Sequence, residues 1–201
     1  MTEKKPLHKN PEWEAFWAKE PTEQEIFKTL EESGWDFLSA APSELLADRK
    51  FMLKAVDTCG FALKYASDEL KNDKEMVLFA IKSSSATYQR DPYIVLRYAS
   101  EEMKANKDVV LAAVMINGQS LQYASEALRE DKDIILAAAI NNLWSLTYAS
   151  PVLREDKAFV IELVKKVGKS ALKFFGKTMQ SDADILEAAK QYKPAAGRQR
   201  L

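Results

Sequence analysis

The chain has 201 residues, and its 29 Lys and Arg against 30 Asp and Glu give a formal net charge of −1, which argues against a generally basic nucleic-acid binder. With 47% apolar residues it can bury a large core, yet no stretch of about 18 apolar residues occurs, so no membrane span is expected. The single cysteine, Cys59, allows no internal disulfide and fits a reducing compartment, and residues 1–10 lack the apolar core of a secretory signal, so the expected location is the cytoplasm.

Residues 1–21 read as a tail and a short capping helix in which Trp13, Phe16 and Trp17 fall at i, i+3 and i+4 and share one face. One reading is a shield over the repeat that follows, since the ends of an array need covering. The other is an anchor for a partner or for dimerisation, because tryptophan is prominent in binding hot spots.

From Thr22 the sequence repeats. Tyr-Ala-Ser recurs at 65–67, 98–100, 123–125 and 148–150, and Asp48, Asp73, Asn106, Asp131 and Asp156 precede equivalent apolar runs at separations of 25, 33, 25 and 25 residues. A degenerate first copy begins near Thr22, a late copy carries Phe174 in place of the tyrosine, and a half-copy holds Ile185, Leu186, Ala188 and Ala189. About six and a half copies thus fill residues 22–190.

An Asp or Asn before each apolar run predicts a helix N-cap. Gly34, Gly60, Gly118 and Gly168 predict left-handed C-terminal caps about twelve residues later. The helices between these signals are apolar around most of their circumference. Ile134, Ile135, Leu136, Ala138, Ala139 and Ile140 fit no single stripe, as expected of a helix sandwiched between neighbouring copies.

The second half of a copy, such as Leu121, Tyr123, Ala124 and Leu128, has helical spacing. Ser150-Pro151 also reads as an N-cap and first helical residue, so one helix or two short turns are both open here. Tyr65, Tyr98, Tyr123 and Tyr148 are expected to pack between copies with their hydroxyls at the edge, rather than to form an exposed ladder. The expected fold is all-α: tandem helical-hairpin repeats of about 25 residues stacked as a short α-solenoid.

Departures from the repeat are the places to look for contacts. The 33-residue copy has eight extra residues somewhere within 83–93, predicted to form a loop that offers Tyr88, Arg90 and Tyr93. Residues 11–48 carry ten acids against Lys19 and Lys28, a net of −8, and residues 163–201 carry nine bases against three acids, a net of +6. Lys165, Lys166, Lys169, Lys173 and Lys177 cluster near that end, ahead of a basic tail at 191–201, and could meet an acidic protein, a nucleic-acid backbone or anionic lipid. The charge asymmetry also permits salt-sensitive head-to-tail self-association.

No enzyme, metal or cofactor is expected. The repeated Asp and Ser lie too far apart to converge on one reacting atom, and His8, the only histidine, makes no nucleophile–base pair with Cys59.

The phrase at 121–140, LQYASEALREDKDIILAAAI, resembles the tandem repeat family catalogued as domain of unknown function 4116, and the stretches 63–81, 96–114 and 146–164 are similar to it. The resemblance implies multiple copies of one repeat and assigns neither catalytic residues nor a ligand. The expected role is a non-enzymatic scaffold for protein–protein interaction, and the alternative is a nucleic-acid-associated protein working through the lysine-rich end.

Overall fold

The computed structural model describes residues 10–86 and 94–193, and the chain divides into two compact units, Met1–Arg90 with Tyr98–Ser100 and Asp91–Arg97 with Glu101–Leu201. Among the described residues there is helix and no strand, so the chain is an all-α tandem repeat. The first unit holds α1 (Pro11–Trp17), α2 (Glu23–Ser33), α3 (Ser43–Ala47), α4 (Arg49–Thr58), α5 (Asp68–Lys71) and α6 (Lys74–Ala86). α7 (Val95–Tyr98) straddles the division. The second unit continues with α8 (Glu101–Lys104), α9 (Lys107–Ile116), α10 (Lys132–Asn141), α11 (Pro151–Glu155), α12 (Lys157–Val167), α13 (Lys177–Ser181) and α14 (Ala183–Ala189).

The copies that open at Thr22, Asp48, Asn106, Asp131 and Asp156 each have three helical pieces. A long α-helix is followed by a six-residue 3-10 segment, such as Gly60–Tyr65, Gly118–Tyr123 or Leu143–Tyr148, and then by a very short helical turn. The Ala-Ser of Tyr-Ala-Ser is extended and separates the last two pieces, which settles the alternative between one helix and two turns in favour of two.

The caps form where the sequence puts them. Asp48 accepts from Phe51 N–H at 2.9 Å, Asp73 from Met76 N–H at 2.8 Å and Asp156 from Phe159 N–H at 3.0 Å. Asn106, Asp131 and Asp182 each accept from two backbone N–H groups. At Thr22 the cap is reciprocal: Glu25 N–H donates to Thr22 Oγ1, and the Glu25 carboxylate accepts from Thr22 N–H.

One burial pattern runs through the long helices. Counting from the cap, the third, fourth, seventh and eighth residues are buried: Phe51, Met52, Ala55, Val56 in α4; Met76, Val77, Ala80, Ile81 in α6; Val109, Val110, Ala113, Val114 in α9; Ile134, Ile135, Ala138, Ala139 in α10. This is a defined stripe, so the expectation of helices covered all round is corrected. Ile140, included in that expectation, is 42% exposed.

Two ladders tie copy to copy. In the first unit Ser67 N–H donates to Leu46 O at 2.9 Å and Ser100 N–H to Lys71 O at 3.0 Å. In the second, Ser125 N–H donates to Lys104 O at 2.9 Å and Ser150 N–H to Arg129 O at 3.1 Å. The motif serine therefore bonds to the previous copy through its backbone, while at Ser67, Ser125 and Ser150 the hydroxyl caps the next turn.

The second ladder is ionic. The base just after one cap reaches the cap of the next copy: Arg49 to Asp73 at 3.3 Å, Lys107 to Asp131 and Lys132 to Asp156 at 2.7 Å, and Lys157 to Asp182 at 2.8 Å. Around Asp131 burial opposes ionisation but is outweighed by Lys107 and two backbone N–H groups. Its acidity rises, as does that of Asp156 and Asp182, chiefly through Lys132 and Lys157.

The glycines divide by role, which corrects the expectation of four left-handed caps. Gly34 and Gly168 do take positive φ, 78° and 83°. Gly60 and Gly118 do not; a Cβ there would lie 2.2 Å from Ala80 O and 2.3 Å from Ala138 O, so glycine lets the 3-10 segment meet the next long helix backbone to backbone. The inserted stretch also differs from the expected loop at its start. Residues 83–86 continue α6, and Ser83 and Ser84 are buried.

Candidate interaction surface

Site residues proposed from the sequence fall in three places. Trp13, Phe16 and Trp17 on α1 surround Phe37, whose ring is fully buried, with centroids at 6.3, 5.0 and 4.8 Å. Two contacts are edge-to-face and the third is stacked, arrangements that suit the ring quadrupole. All three side chains are half-buried, so this aromatic face is largely used within the first unit. Tyr88, Arg90 and Tyr93 lie outside the described residues.

Lys165, Lys166, Lys169, Lys173 and Lys177 are exposed in the second unit, and none forms an ion pair with a described residue. Lys173 Nζ stands 5.0 Å from the ring centroids of both Trp144 and Phe174, and those rings meet edge-to-face at 5.4 Å. Trp144 is nevertheless 60% exposed.

Beside it lie residues that sequence reasoning did not single out. The ninth residue after the cap is an exposed charge in α4 (Asp57), α6 (Lys82) and α12 (Lys165), as a position outside the buried stripe should be. In α9 and α10, which pack against each other, it is Met115 and Ile140, 65% and 42% exposed. Asn141 fixes the two helix ends: its amide donates to Met115 O at 2.9 Å and its carbonyl accepts from Gly118 N–H at 2.9 Å. Met115, Ile140 and Trp144 are thus exposed apolar side chains of the second unit, and one of the five lysines, Lys173, stands over the Trp144 ring. The signal was present in the sequence as two apolar residues where other copies have charge.

The motif tyrosines are half-buried. Tyr98 packs its edge on Phe61 at 6.4 Å, and Tyr65 donates to Asp36 while accepting from Lys64 at 2.8 Å. Burial, then the Asp36 carboxylate, pushes the Tyr65 phenol well above its ordinary value. Cys59 is buried, and desolvation pushes its thiol above the ordinary value.

A family profile described as Domain of unknown function (DUF4116) matches residues 48–90, 86–129 and 131–180. The chain belongs to this family. Two DUF4116 matches begin on the N-caps Asp48 and Asp131, and the match at 131–180 takes in two consecutive structural copies. The first copy and the terminal half-copy lie outside the matched ranges. No curated protein and no solved structure matches the chain. Among the described residues no helix is long and apolar enough to cross a membrane.

Proposed function

We propose that this DUF4116 protein is a non-enzymatic helical-repeat scaffold that acts in the cytoplasm by binding another protein, with Met115, Ile140 and Trp144 and the lysines of the same unit as the contact face. The supporting observation is the exposure of Met115, Ile140 and Trp144 in a unit that also exposes five lysines, one of which, Lys173, stands over the Trp144 ring. Other long helices hold charge at the position of Met115 and Ile140, so folding does not require the apolar residues there. The partner such a face fits is a segment that combines acidic and apolar side chains, with Trp144 as the anchor.

The test is quantitative capture from the native cell with the wild type, Ile140→Asp and Trp144→Ala, with urea midpoints measured in parallel. A protein retained by the wild type and lost by both variants at unchanged stability supports the reading. Equal capture by all three, or recovery of the bait alone, overturns it.

A second reading follows from the five exposed lysines: association with a nucleic-acid backbone. Gel-shift binding with a steep salt slope, abolished when Lys165, Lys166, Lys169, Lys173 and Lys177 are all changed to Glu, would raise it above the first.

A further inference from the structure

The residue two before each cap is a base in four successive copies: Lys71, Lys104, Arg129 and Arg154. In the first two copies an acid three residues earlier answers it, Asp68 with Lys71 at 3.8 Å and Glu101 with Lys104 at 2.7 Å. The later two depart from this. Arg154 has Pro151 in the acid's place, and Glu126, exposed and three residues before Arg129, forms no ion pair with it.

Arg129 and Arg154 line one pocket of about 220 Å³ within the second unit, and the Nε of each is buried without a hydrogen-bond partner among the described residues. Two arginines beside one cavity, each with a buried Nε–H that no described residue answers, are costly unless something accepts from their guanidinium groups. Tyr148 and Ser150 also line the pocket. The Tyr148 hydroxyl has no hydrogen-bond partner among the described residues, and Ser150 Oγ accepts from Leu153 N–H, which leaves its own hydrogen free to donate. The backbone bond from Ser150 to Arg129 O fixes the two walls relative to each other.

We infer that this pocket is an oxyanion site, in which Arg129 and Arg154 hold the paired oxygens of a carboxylate or phosphate group. Arginine in place of lysine fits the assignment, because its planar fork offers two parallel donors where an ammonium offers a point charge. The site is independent of the Met115, Ile140 and Trp144 face and can fail while that face stands.

The test follows the arginine Nε–Hε resonances during titration with inorganic phosphate, and separately with acetate, at constant ionic strength. Saturable shifts are expected for Arg129 and Arg154 and none for Arg49, whose guanidinium is already held by Asp73 and Glu75. Arg154→Gln should weaken binding by about tenfold or more, as loss of a charge-assisted hydrogen bond does. Glu126 also lines the pocket and is exposed, so Glu126→Gln should tighten binding by removing a repelling charge. The acetate and phosphate affinities identify which oxyanion the site prefers. Linear, non-saturating shifts shared with Arg49, or affinity unchanged in Glu126→Gln and Arg154→Gln, would overturn the assignment.

Discussion

The copy that opens at Asp48 and the copy that opens at Asp131 bury corresponding residues and present different surfaces. Phe51, Met52, Ala55 and Val56 answer to Ile134, Ile135, Ala138 and Ala139, all within the buried stripe. Outside that stripe Asp57 answers to Ile140, and Gly60 to Leu143. The first copy keeps its charge outward and closes its 3-10 segment against Ala80 O, whereas the second exposes Ile140 and Trp144. The buried stripe repeats because these copies pack their long helices in the same way, whereas residues outside it are free to differ.

The largest test of that comparison is a matched pair on one helix. Ile135→Ala removes a fully buried side chain and should cost about 2–5 kcal/mol in urea unfolding. Ile140→Ser, five residues on, should cost less than about 0.5 kcal/mol. Similar costs for the two would show that Ile140 belongs to the core.

Next comes the close approach. Gly118→Ala places a Cβ against Ala138 O and should destabilise by about 1–3 kcal/mol, an overpacking penalty; a neutral result would mean the backbones can separate freely.

The ionic ladder gives a pH signature. Asp131, Asp156 and Asp182 have lowered native values, so their contribution is present in full above 3.8, the usual aspartate value, and is lost as pH falls through the lowered native one. Lys107 and Lys157 are raised by hydrogen bonds to Asp131 and Asp182, so theirs holds below the usual 10.5 and is lost as pH climbs through the raised value. Melting temperatures measured from about pH 5 to about pH 2 should fall less steeply in Asp156→Asn than in the wild type. Identical slopes would remove Asp156 from the ladder.

The smallest effect has the opposite sign. Ser145 is fully buried and its hydroxyl has no partner among the described residues, while the corresponding small residue in the Asp48 copy is Ala62. Ser145→Ala should leave stability unchanged or raise it by up to about 1 kcal/mol, checked by urea unfolding.

Much of this was legible in the chain. The N-caps at Asp48, Asp73, Asn106, Asp131 and Asp156 depend on hydrogen bonds to N–H groups two or three residues away, so local sequence suffices to place them. The period, the all-α class and the family resemblance follow from the same short-range regularity. The break inside Tyr-Ala-Ser was visible only as an ambiguity at Ser150-Pro151. The paired aromatics Trp144 and Phe174, and the unanswered Arg129 and Arg154, were not read from it.

By itself the sequence determined where each helix starts and how often the pattern returns. Only the tertiary structure decided that Ile135 is covered and Ile140 is not, that Gly60 is a contact rather than a cap, and that the cap carboxylates of Asp73, Asp131, Asp156 and Asp182 each meet a cation from the copy before. Capping and periodicity are settled within one turn of helix. Exposure and ion pairing depend on what the neighbouring copy lays against a residue, which the chain fixes only once those copies have packed.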